Sequence, residues 1–169
     1  MAATGGRRRF SLVLIKPSHY DDDGYVIQWL RSPIPSTTLA NLYGLARDCA
    51  DRRVLGDDVD IDITVLDETN TRIRPERVAR AMAGADGGLV GLVGVQSNEF
   101  PRAMDIARRL RAEGVQVCIG GFHVSADVAA LLILFSPTST TLRPVAWRAV
   151  KGAVFWRSSR PLTGLHATS

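Results

Sequence analysis

The residues best suited to chemistry gather after two short apolar runs in the segment GGLVGLVGVQSNEFPRAMDIARRLRAEGVQVCIGGFHVS, which spans Gly87 to Ser125. Gln96, Ser97 and Asn98 follow the first run, and Gly120 and Gly121 follow the second. Glycines placed there suit two roles equally: a cradle in which a ligand approaches the backbone, or a tight strand-to-helix turn. His123 stands just beyond them, and His19 follows an earlier apolar run, so each is a candidate for metal or acid–base work. Asp21-Asp22-Asp23-Gly24 comes next, then Tyr25 and Trp29, spaced either for simple packing or for an apolar wall over a flat ligand.

Several familiar chemistries are missing their residues. GxGxxG after the first strand would signal a dinucleotide, but Lys16-Pro17-Ser18-His19 occupies that place. A phospho-receiver needs an aspartate at the end of the third strand, where Gln96 stands, and Ser97 lacks the GxSxG setting of a nucleophile elbow. The two cysteines, Cys49 and Cys118, form no CxxC, which leaves no cysteine metal site in this chain and reads as cytosolic thiols.

The elements that would position these residues follow from periodicity. Ser11–Ile15 reads as a buried strand, followed by a long connection from Lys16 to Ser36. A helix is expected from Thr37 to Asp51, capped by Ser36 or Thr37, with Leu39, Leu42, Ala46 and Ala50 on one face. Val59–Leu66 alternates apolar and polar residues, as a half-exposed edge strand does. Pro75 opens a second helix that ends near Gly84, and Leu89–Val95 is the third strand. In the third helix, which has Pro101 in its first turn, Ala103, Ile106, Ala107 and Leu110 face the sheet, while Arg102, Arg108, Arg109 and Arg111 face water. Gly114 ends that helix, and Val115–Ile119 is strand four.

This alternation predicts an α/β fold, a Rossmann-like (flavodoxin-type) doubly wound parallel sheet with strand order 2-1-3-4 and room for a fifth strand at residues 131–135. Ligands bind such sheets at the carboxyl ends of the strands, near the switch point between strands one and three.

The 169 residues suit one domain, with residues 1–9 as an N-terminal tail, 10–127 as the domain and 128–169 as an atypical basic tail. Up to Asp127 there are 16 basic and 17 acidic residues; beyond it there are 5 basic residues and no acidic ones. The overall charge of +4 therefore belongs to the tail, which argues against nucleic acid as the partner of the domain. Arg7-Arg8-Arg9-Phe10 resembles the start of a twin-arginine signal, but Lys16-Pro17 cuts the apolar run short, so a cytoplasmic protein is expected. No run approaches the ~18 apolar residues of a membrane span, so no membrane partner is expected.

Taken together, Lys16-Pro-Ser-His-Tyr20, Asp22-Asp-Gly-Tyr25, Ile34-Pro-Ser36, Leu66-Asp-Glu-Thr-Asn70, Gly94-Val-Gln-Ser-Asn98 and Gly120-Gly-Phe-His-Val-Ser125 resemble the N-terminal cobalamin-binding domain of B12-dependent radical SAM proteins. The resemblance covers residues 9 to 127 and implies a corrin ring over the carboxyl ends of the strands, with the nucleotide tail in a slot beside the sheet. It implies cofactor contacts from Ser18, His19, Tyr20, Tyr25, Gln96, Ser97, Asn98, Gly120, Gly121, Phe122 and His123, with Ser18–Trp29 flanking the cobalt. His19 is the candidate axial ligand. In the family's DxHxxG pattern, however, Pro17 stands in place of Asp and Asp22 in place of Gly.

The CxxxCxxC that would hold the radical SAM iron–sulfur cluster is missing, so catalysis is expected to need a separate catalytic domain. Together with the acid-free tail, this reads as a truncated or frame-shifted relative whose family-like sequence ends near Asp127. Two other expectations stand beside it. One is a small nucleotide- or phosphate-dependent α/β enzyme that uses His19 and Asp21–Asp23 as acid–base groups. The other is a non-functional remnant that aggregates through its exposed tail aromatics.

Overall fold

The computed structural model describes residues 6–29, 36–126 and 153–155. Its strands are β1 (Arg8–Lys16), β2 (Val59–Asp67), β3 (Gly87–Leu92), β4 (Val117–Gly120) and β5 (Ala153–Phe155). Its helices are α1 (Thr37–Asp51), α2 (Pro75–Met82), α3 (Phe100–Ala112) and the short α4 (Phe122–Ala126). The sheet order is β2-β1-β3-β4-β5; the first four strands are parallel, in the order the alternation predicts, and β5 joins β4 antiparallel. This is an α/β, Rossmann-like fold. The segment 131–135, expected as a fifth strand, lies outside the described residues, as does most of 128–169.

β1 is apolar throughout its centre because it is sandwiched on both faces. Val13 and Ile15 pack into the larger core with Val78, Met82, Ile106 and Leu110 from α2 and α3. Leu14 faces the other way, toward Leu39 of α1 and Val93. β2 lies at the edge, and aspartates in and just before it meet the chain around the start of β1: Arg7 pairs with Asp60 at 2.8 Å and Arg8 with Asp58 at 2.9 Å.

Two strands sit at slightly shifted positions, each for a local reason. The ladder of β3 ends at Leu92, but the chain stays extended, with the Val93 amide donating to Ile15 and that of Val95 to Gly120. Val115 is tied back to the end of α3, its amide donating to Leu110 after Gly114 turns at φ 78°, and β4 starts only at Val117. Ser36 is the N-cap of α1, its hydroxyl accepting from the Leu39 amide at 3.2 Å. Among the described residues, no helix is long and apolar enough to cross a membrane.

Candidate functional site

The parallel strands end together, and two loop systems rise from that edge. The first is the stretch after β1. Tyr20 bridges Val26, and Ile27 donates to the His19 carbonyl at 2.9 Å, so the stretch folds into a small hairpin. Its tip is an aspartate turn in which one Asp21 carboxylate oxygen accepts from the amides of Asp23 (3.1 Å) and Tyr25 (2.7 Å), and Gly24 takes φ 84°. The hairpin base is tied down as well: the Ser18 hydroxyl donates to Ile27, and Trp29 donates to Thr69 just after β2. Asp21 is thus occupied in holding the turn.

Beneath the hairpin lies a polar cluster that sequence analysis missed. Glu68 follows β2 and is 1% exposed. Its carboxylate accepts from the Ser18 amide (3.1 Å) and from both Nε (3.1 Å) and Nη2 (2.6 Å) of Arg102. Arg102, expected to face water, is instead turned inward over Tyr20. Burial works against its charge, but hydrogen bonds to Glu68 and Tyr20 together with the Glu68 charge outweigh that, so its pKa rises. The correction has a geometric cause: Arg102 sits at the rim of the α3 apolar stripe, and only the return of the hairpin covers that rim.

The second loop system joins the ends of β3 and β4. Ser97 Oγ lies 3.2 Å from His123 Nδ1, and the His123 ring packs on Phe100 with centroids 4.4 Å apart. The two glycines divide the roles that the sequence left open. Gly121, at φ 152°, backs onto Val95 so tightly that a Cβ there would stand 2.2 Å from the Val95 amide nitrogen. It answers to the turn. Among the described residues, a Cβ on Gly120 would meet nothing within 4 Å, so that position at the end of β4 is open.

The candidate residues therefore fall into two groups: Ser18, His19, Tyr20 and Tyr25 in the hairpin, and Gln96, Ser97, Asn98, Gly120, Gly121, Phe122 and His123 at the ends of β3 and β4. Glu99 joins them. One of its carboxylate oxygens pairs with Lys16 at the end of β1, and the other accepts from the Gln96 amide at 2.9 Å. Tyr25 (72%), Trp29 (64%) and Phe122 (77%) are strongly exposed for large apolar side chains. Among the described residues, no group of three or more His, Cys, Asp or Glu is placed to hold a metal ion. His19, the candidate ligand after β1, is half-buried.

The strand order and flanking helices define the class: a Rossmann-like α/β domain. No protein-family model matches the chain, and neither the search of curated proteins nor that of solved structures returns a match.

Proposed function

We propose that this chain is a cobalamin-binding module, similar to the N-terminal domain of B12-dependent radical SAM proteins, and that it works with a separate catalytic domain carrying the iron–sulfur cluster. The observation that supports this reading is the carboxyl edge itself: among the described residues nothing fills the space a Gly120 Cβ would take at the end of β4, Phe122 is exposed two residues on, and Tyr25 and Trp29 are exposed in the hairpin after β1. A broad, flat macrocycle needs a backbone it can approach closely, an apolar wall, and polar groups at its rim. Gly120, the exposed aromatics, and the Ser97–His123 pair answer those three needs.

In this reading His19 would face the cobalt, while Ser97, Asn98 and His123 would take the polar periphery. Cobalamin supplies the organometallic reactivity when bound; the protein supplies placement. The alternative acid–base enzyme is less well supported, because Asp21 already spends its carboxylate on the turn.

The test is a titration of hydroxocobalamin into the purified chain, followed by absorbance. A saturable spectral shift supports the module. An unchanged spectrum at cofactor concentrations well above micromolar sinks it, and a thermal-shift screen against nucleotides then tests the enzyme reading.

A further inference from the structure

Three polar residues spaced three apart, the N-cap Glu99 and Arg102 and Asp105 of α3, face the end of β1 and the hairpin: Glu99 pairs with Lys16 of β1, Arg102 takes Glu68 and Tyr20, and Asp105 accepts from the Tyr20 hydroxyl at 2.7 Å. This spacing keeps them on adjoining parts of one helix side. The helix does not need them to be buried, since Ala103, Ile106, Ala107 and Leu110 already fill the core. What the polar stripe does is fix where the hairpin stands.

Arg102 is its centre. The side chain is 11% exposed, it forks onto Glu68, its Nη1 donates to the Tyr20 hydroxyl at 3.3 Å, and its Cζ lies 5.8 Å from the Tyr20 ring centroid. Glu68, in turn, holds the Ser18 amide, one residue before His19. In the other half of the site the Gly120-Gly121 turn sits against the backbone of Val95, and Glu99 holds the Gln96 amide.

We propose that Arg102 is the positioning residue of the carboxyl-edge site, setting through Glu68 and Tyr20 the place that His19 and Tyr25 take above the strand ends. The ligand in this statement rests on the cobalamin reading; the positioning does not.

The test is Arg102→Lys in the full chain, which keeps the buried positive charge but loses the planar fork. The expected result is a melting temperature near that of the wild type. Amide exchange over residues 18–27 should quicken about tenfold and hydroxocobalamin binding weaken about tenfold, the scale of one lost charge-assisted fork. A Lys variant whose hairpin exchanges as the wild type does overturns the proposal. So does one that loses stability and affinity in proportion, because that is a purely structural role. If the wild type itself leaves the cofactor spectrum unchanged, the cobalamin reading fails, and exchange alone decides the positioning.

Should the Lys variant not fold, Tyr20→Phe removes the hydroxyl's hydrogen bonds to Arg102 and Asp105 without stranding a buried charge. Exchange over 18–27 should then quicken about threefold to tenfold, as for the loss of these two hydrogen bonds. Wild-type exchange in that variant overturns the proposal equally.

Discussion

Gly121 and Val95 touch backbone to backbone: a Cβ on Gly121 would lie 2.2 Å from the Val95 nitrogen and 2.4 Å from its oxygen. Its neighbour Gly120 has no such constraint, so two adjacent glycines have separable roles. Gly121→Ala should cost about 3 kcal/mol or more through strain and displacement. Gly120→Ala should leave the unfolding free energy in urea within about 0.5 kcal/mol of the wild type, yet weaken hydroxocobalamin binding about tenfold by filling that open position. A Gly120→Ala variant that binds normally would show that position to be idle.

The Glu68–Arg102 pair predicts a non-additive pattern in chemical denaturation. Glu68→Leu strands a buried guanidinium and should destabilise by about 3–5 kcal/mol. Adding Arg102→Met should recover most of that loss, because the double variant leaves no unpaired charge. Additive losses would mean that the two side chains act independently.

Cys118 is half-buried as a residue, but its Sγ is turned toward Gly91 on β3. Burial pushes the thiol up to about 11. An acid whose pKa is raised on folding loses its proton more readily in the unfolded chain, so stability is lost as pH rises past the unfolded thiol value. Between about pH 9 and 11 the protein should lose about 2 kcal/mol through this group. Cys118→Ala removes the slope, and comparing the two pH–stability profiles isolates it from other groups titrating in that range.

Tyr25 and Trp29 are exposed enough that Tyr25→Ser and Trp29→Ser should each change stability by less than about 0.5 kcal/mol. If they wall the corrin, each should weaken hydroxocobalamin binding about threefold to tenfold, as expected for lost aromatic contact. Equal affinity in both variants would remove the hairpin tip from the site.

The sheet order was legible because each parallel strand carries its own burial in its pattern: β1 is apolar on both faces, while β2 alternates. α3 was legible from Ala103, Ile106, Ala107 and Leu110, all of which are buried. Glu68 and Arg102 were not, because a lone carboxylate after a strand and an arginine beside an apolar stripe both look solvated. Their burial exists only once the hairpin folds back over them, a long-range event with no periodic trace. β5 left no signal either, as three residues are too few to show alternation. Of the site, the glycine turn and the serine–histidine neighbourhood could be anticipated from their places after apolar runs, whereas the clasp that orients the hairpin could not.

The aspartates of β2 bear on how copies of this chain meet. An open strand edge invites a second molecule to extend the sheet. Asp58 stands just before β2, and Asp60 and Asp62 recur within it at every second residue. Two such edges laid together would set rows of like charge against one another and draw Arg7 and Arg8 away from their partners. The same carboxylates that tether β1 to its neighbour therefore guard the rim of the sheet against fibril-like growth.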